Sequence, residues 1–226
     1  MSEKKKRGTV LYRFFRSIPI LGTVIGIMNA YAYRGDFKAS KEFAGVSAYI
    51  SALWRPLLVT MILTTVTIYP WVQAVVHGEI PFSVKLTGFS STPGVATVSI
   101  FPSVLGFGIG VYALVFAIPE RLVRDLNEVL TKAIESGKRK HGSVLVLNVD
   151  LGYPLVVMAI ALAVGVLQQA LPNVLWLIAV CWFTFWYAVV SVIEIIGVLF
   201  QLGDHAVLEK RGMIQAESKN DQEKNQ

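Results

Sequence analysis

The sequence predicts an all-α integral membrane protein: four transmembrane helices, N-terminal interfacial or re-entrant helices, and a cytoplasmic amphipathic helix between spans two and three. Three observations predict it. The chain of 226 residues is 54% hydrophobic and only 16% charged, its mean hydropathy is +0.57, and three long stretches hold almost no Asp, Glu, Lys or Arg. An ordinary soluble domain carries about 25% charged residues, so this chain lacks the polar groups to cover itself in water. Intrinsic disorder is excluded by the same apolar content. The net charge of +6 points first to anionic headgroups at a cytoplasmic leaflet, not to nucleic acid.

The uncharged stretches place the spans, because a charge at the bilayer centre costs roughly 2.5 to 3.5 kcal/mol on insertion scales. Pro56 to Gly78 is the first, long enough for one crossing. Leu86 to Pro119 is the second; it opens with the turn-rich LTGFSSTPG, so its spanning part runs from Val95 to Ile118. Leu151 to Gly203 holds one acid, Glu194, and is broken at Gln168 to Asn173, which gives two helices joined by a tight hairpin at Pro172. The resulting segments are a basic collar (1–55), a transmembrane hairpin (56–118) with a short outer loop (79–94), a cytoplasmic segment (119–150), a second hairpin (151–203) and a tail (204–226).

Four spans put both ends of the chain on one side, and the cations say which. Ten Lys or Arg precede Pro56, six lie between Glu120 and Asp150, four follow Gly203, and only Lys85 falls on the other face. The positive-inside rule then predicts N-in, C-in in a plasma membrane, with the bacterial inner membrane as the expected one. Ser17 to Tyr33, behind Lys4, Lys5, Lys6, Arg7, Arg13 and Arg16, ends in Ala30-Tyr31-Ala32 and mimics a signal peptide. Cleavage there would invert every later loop, and a fifth span would export the N-terminal cations. The segment is therefore expected to lie in the interface or to re-enter, broken by Pro19, Gly22 and Gly26. Lys41 to Trp54 reads as an amphipathic helix through Phe43, Val46, Ile50 and Leu53, with Trp54 and Arg55 as anchors.

In the segment between spans two and three, Leu122, Leu126, Val129, Leu130, Ala133 and Ile134 form an apolar helical stripe. Glu120/Arg124, Arg121/Asp125 and Glu128/Lys132 are i,i+4 pairs on its other face, and Gly137 is the expected stop. Lys138, Arg139, Lys140 and His141 continue the basic surface. Ser143 to Gly152 (SVLVLNVDLG) reads as an extended strand seeking a partner. The outer loop around Ser90 to Gly94 suggests a small hairpin or ordered loop, too little for a ligand-binding ectodomain. The tail ending ESKNDQEKNQ reads as disordered.

Signals for chemistry are sparse. Cys181 is a lone thiol within a span, expected to behave as a small buried hydrophobe. His77, His141 and His205 have no metal-ligand spacing, and no HExxH, GxSxG or paired catalytic carboxylate is visible, so neither enzyme nor cofactor is expected. Gly106, Gly108 and Gly110 lie inside an apolar span with no Lys-Ser/Thr after them, so they read as helix-packing residues rather than a nucleotide loop. Gly106/Gly110 and Gly22/Gly26 are GxxxG pairs, and Ala161/Gly165 is a small-xxx-small pair. Glu194 is the one candidate for proton or cation handling, expected at the inner boundary where Arg121 or Arg124 can pair with it. Asn29, Gln73, Gln168, Gln169 and Gln201 are polar groups that could line a path.

These features suit a non-catalytic polytopic subunit of a larger membrane-embedded assembly, for which bacterial secretion, conjugation and envelope machines offer an analogy of class only. Its expected partners are anionic lipid headgroups and other membrane subunits of a homo- or hetero-oligomer, with no nucleic acid. The alternative is a small oligomeric transporter or channel using Glu194, although the two halves show no internal repeat. A lytic or immunity-type membrane protein is a third reading.

Overall fold

The computed structural model describes residues 12, 14–80, 82, 84–113, 124, 127–128, 131–132, 135–137 and 145–224. Six α-helices account for most of them: α1 (Leu21–Ala32), α2 (Val46–Thr67), α3 (Tyr69–Val76), α4 (Pro93–Ala113), α5 (Leu145–Ala170) and α6 (Leu175–Lys224). Four segments, Val46–Thr67, Pro93–Ala113, Val146–Ala170 and Leu175–Gln201, are long and apolar enough to cross a bilayer. The chain is thus a multi-pass membrane protein, and no β-strand occurs among the described residues. In hydrocarbon every backbone N–H and C=O must be satisfied within the chain, and a helix does this locally.

α5 is the centre of the bundle, packed on α4, α6 and α1, while α2 lies mainly against α6. Close approach of α4 and α5 depends on two glycines. A Cβ on Gly165 would meet Thr97 Cγ2 at 2.8 Å, and one on Gly94 would meet the Gly165 carbonyl oxygen at 2.5 Å. Ala161, fully buried on α5, continues the same seam. Farther along α4, a Cβ on Gly108 would meet Leu155 Cδ2 at 2.7 Å. The seam is completed by large side chains. Met158 and Trp182 are fully buried, and the Phe101 and Phe185 rings sit 5.4 Å apart between α4 and α6.

At the end of the bundle that holds the α5–α6 turn, the helix termini are capped by one another. The Gly94 N–H, left without a helical partner in the first turn of α4, donates to Gln168 Oε1 at 3.0 Å, and Gln169 Nε2 donates to the Gly94 carbonyl at 2.9 Å. Tryptophan indoles fasten the neighbouring segments: Trp71 Nε1 to the Val84 carbonyl at 2.7 Å, Trp182 Nε1 to the Ser90 carbonyl at 2.8 Å, and Trp186 Nε1 to Thr67 Oγ1 at 2.9 Å. Where it is described, the connection between α3 and α4 is an ordered loop, with a 3-10 turn at Gly88–Ser91 and Phe82 edge-on to Trp71.

Four sequence expectations are corrected. The stretch from Leu145 to Gly152 is the start of α5, not a strand. A lone strand would leave a row of unpaired donors at the membrane boundary, whereas the helix pairs them internally. Lys41 to Trp54 is not a separate helix; α2 runs from Val46 through Pro56 without a break. Arg55 does not interrupt it, because its guanidinium reaches out over the Trp54 ring at 5.5 Å and remains exposed. The first span correspondingly ends at Thr67 rather than Gly78, where Pro70 removes a backbone donor and α3 starts anew. The tail is not disordered along its length: α6 continues to Lys224. Its residues after Gly212 are mostly good helix formers with no proline, and a helix already nucleated in the span extends without the usual nucleation cost.

The expected pause at Gln168 to Asn173 is present, as is Gly137 in a left-handed conformation with φ of +71°. The interfacial or re-entrant segment contains α1, whose 12 residues extend only about 18 Å, too short to span. The stripe residues Leu122, Leu126, Val129, Leu130, Ala133 and Ile134, the pairs Glu120/Arg124 and Arg121/Asp125, and the cations Lys138, Arg139 and Lys140 lie wholly or partly outside the described residues.

Enlarging Gly165 tests the α4–α5 seam. Gly165→Val is expected to destabilise the bundle by about 1 to 3 kcal/mol through overpacking, read as a lowered thermal unfolding midpoint in a fixed detergent. Gly106→Ala and Gly110→Ala are expected to leave that midpoint unchanged or slightly raised, since a Cβ at either position meets nothing within 4 Å.

Candidate functional site

Two polar constellations lie at the opposite end of the bundle, and both are organised by α1. The first centres on Asn29, which is completely buried. Its Nδ2 donates to the carbonyls of Ala39 and Glu42, each at 2.9 Å. Its Oδ1 accepts from the Ala44 N–H at 2.7 Å and the Tyr49 hydroxyl at 3.0 Å. One amide side chain thereby fixes the connection between α1 and α2, which would otherwise carry unsatisfied backbone groups near the apolar phase. Tyr12 adds a hydroxyl bond to the Ala39 carbonyl at 2.7 Å and packs edge-on against Phe43 at 4.8 Å. Asn29 is therefore a structural hub and not the wall of a path.

The second constellation joins α1, α5 and α6 around the membrane carboxylate. Tyr31 donates its hydroxyl to Glu194 Oε2 at 3.2 Å, and its ring stacks on Tyr153 with centroids 4.0 Å apart and planes 13° apart. The Tyr153 and Tyr187 hydroxyls share a 2.7 Å hydrogen bond. Tyr187 and Glu194 are seven residues apart, so both fall on one face of α6. Phe183 stacks on Tyr187 at 6.2 Å. The arrangement gives a half-buried carboxylate a phenol donor, and it holds α1 against the bundle by aromatic contact as well as by a hydrogen bond.

Glu194 does sit toward the end of the span, but its described partner is Tyr31; Arg124 is exposed and Arg121 lies outside the described residues. Tyr31 could not be found from spacing, since its contact with Glu194 bridges 163 positions in the chain. Gln168 and Gln169 cap α4, and Gln73 donates to the Tyr69 hydroxyl at 2.9 Å, so three of the polar residues suspected of lining a path are engaged locally. Cys181 is buried, with Sγ 3.7 Å from Thr97 Oγ1.

The remaining site residues divide by what they touch. Ala161 and Gly165 are in the α4–α5 seam. Gly22 approaches backbone instead of a neighbouring helix: a Cβ there would strike the Arg16 carbonyl. Gly26, Gly106 and Gly110 have open space where a Cβ would stand. Arg16 is exposed, with Nη1 donating to the Ser40 carbonyl at 3.0 Å; Lys4, Lys5, Lys6, Arg7 and Arg13 are outside the described residues. In the segment after α4, Lys132 Nζ pairs with Glu128 Oε1 at 2.7 Å, the i,i+4 contact expected there. That hydrogen bond and charge hold the Glu128 carboxyl below its ordinary pKa and the Lys132 ammonium above its own, both fully exposed.

Removing the Asn29 amide should release the collar. Asn29→Ala deletes four hydrogen bonds, each worth about 1 kcal/mol net, and is expected to cost about 2 to 4 kcal/mol. The readout is faster tryptic cleavage after Lys38 and Lys41 in the folded protein, while Tyr31→Phe, which keeps the stacked ring, should change cleavage little.

No protein-family model, curated protein or solved structure matches the chain, so the constellations at α1 stand on their own geometry.

Proposed function

We propose that the chain is a non-catalytic polytopic subunit of a larger membrane-embedded assembly, oriented N-in and C-in in a bacterial inner membrane. The observation that carries this reading is the outward face of α4. Ser99, Ser103, Gly106 and Gly110 recur at helical spacing and are exposed, on the side of the helix away from its Gly94, Thr97, Phe101 and Gly108 seam. Small residues gain nothing from lipid tails, but they let a second helix approach closely. Two further features agree. α2 has little of its surface covered within the chain, with Leu58, Val59, Met61 and Ile62 all exposed. α6 extends from Gln201 to Lys224 beyond its membrane-spanning part, about 35 Å at helical rise, as a stalk on which other subunits can assemble. The 20-to-1 division of cations between the two faces supports the orientation, and a secretion, conjugation or envelope machine remains an analogy of class.

A photo-crosslinking amino acid at Gly106 or Gly110 tests the reading in native membranes. A discrete adduct with another polypeptide is expected at these positions and not at Val166, an exposed residue on α5. Uniform lipid adducts at all three positions, together with a monomer free of co-purifying protein after mild extraction, would defeat it.

One observation favours a second reading, a small oligomeric transporter or channel: among the described residues, Glu194 is tied to the Tyr31 phenol and has no close ion pair. That reading predicts that Glu194→Gln abolishes proton or cation flux in proteoliposomes while Tyr31→Phe alters its pH profile. Unchanged flux in Glu194→Gln removes its principal residue.

A further inference from the structure

A cavity of about 440 Å³ lies between the collar, α1 and the first turns of α5. Its wall includes Tyr12, Arg16, Gly22, Gly26, Asp36 and Asn148. The first constellation borders this space through Tyr12 and Ala39, and Asn29 itself does not line it. Its position is informative: Asn148 and Val149 belong to the first turn of the spanning segment Val146–Ala170, so the cavity opens at the depth where headgroups meet hydrocarbon.

Its chemistry carries both signs of charge. The Arg16 guanidinium is held from two sides, by the 3.0 Å bond to the Ser40 carbonyl and by the Tyr12 ring 5.9 Å away. A guanidinium has five N–H donors, so that one bond leaves capacity for a phosphate oxygen. Asn148 accepts the Tyr112 hydroxyl at 2.6 Å through Oδ1, which turns its amide nitrogen into the remaining polar group of that side chain. Asp36 supplies a negative charge in the same wall while its Oδ1 accepts from the Lys38 N–H at 2.9 Å. Gly26 is in the same wall, and a Cβ there would meet nothing within 4 Å, so a larger side chain at this position has room to occupy the space.

A second, apolar cavity lies farther along α5. Val149, Tyr153, Val156 and Ile160 form one stripe of α5 at spacings of four, three and four residues. Val149 lines the polar cavity; the other three line a second, apolar cavity of about 120 Å³ together with Met28 and Phe183. A ligand with a polar head and a hydrocarbon chain matches that sequence of environments.

From these features we infer that the cavity is a binding site for a phospholipid whose headgroup bears both phosphate and a primary ammonium, as in phosphatidylethanolamine. The phosphate pairs with Arg16, the ammonium faces Asp36, and an acyl chain follows the α5 stripe. This goes beyond the assembly reading and depends only on membrane placement, so it can fail while that reading stands, and the reverse.

The test is native mass spectrometry of the full chain in detergent, with phosphatidylethanolamine, phosphatidylglycerol or inorganic phosphate added at known concentration. One phosphatidylethanolamine per chain is expected, with binding weakened roughly tenfold by Arg16→Gln, which removes a charge-assisted bond, and by Gly26→Leu, which fills the cavity. Circular dichroism establishes that each variant keeps the parent helicity. Equal lipid binding by both variants and the parent overturns the site. Preferential retention of phosphatidylglycerol overturns the zwitterionic assignment. Displacement of the lipid by millimolar inorganic phosphate overturns the lipid as the source of the phosphate group.

Discussion

Hydrocarbon offers no hydrogen bonds, and the rest of this structure depends on that constraint. It makes each of the four apolar stretches a helix and puts the difficulty at helix ends, where four donors or four acceptors are left over. Several of those ends are met by polar side chains from elsewhere in the chain. Gln168 and Gln169 grip the backbone of Gly94, three indoles donate to carbonyls or a threonine at the same end, and Asn29 makes four bonds at the other. Polar side chains in an apolar chain are consequently used as terminators, which is why few of them are available to line a path.

The same constraint explains the close helix contacts. With lipid as apolar as leucine, helices gain by packing rather than by escaping water, so Gly94, Gly108, Ala161 and Gly165 bring backbones together where they meet α4 or α5. The glycines at 106 and 110 have the same spacing and the opposite placement, and their exposure is what turns a general property of membrane helices into an argument for a partner. Tyr31, Tyr153, Tyr187 and Glu194 add a place where three helices meet through hydroxyl and carboxylate groups.

Much of this was legible in the sequence. Charge-free length gives the number of spans, and the breaks at Thr92-Pro93-Gly94 and Leu171-Pro172-Asn173 give the ends of α4, α5 and α6 within a few residues. Charge served less well as a boundary marker: Arg55 lies inside α2 because a long cation can reach the surface from within a helix, and Asp150 lies inside α5. The β-branched run before Leu151 was ambiguous in principle, since short apolar runs have no period that separates strand from buried helix. The site was hardest to see. Tyr31 and Glu194, or Gly94 and Gln168, are far apart in the chain, and no local pattern announces a contact that only the bundle creates.

Because the assignment of faces rests on the distribution of Lys and Arg, orientation is the claim from which the reading of the collar, the stalk and the outer loop all follow. Cysteine labelling with a membrane-impermeant maleimide measures it most directly, and the single native thiol, Cys181, is buried and contributes little background. Ser91→Cys in the outer loop is predicted to react in intact cells, and Ser136→Cys, beside the Gly137 turn, only after permeabilisation. The reverse pattern would contradict the account.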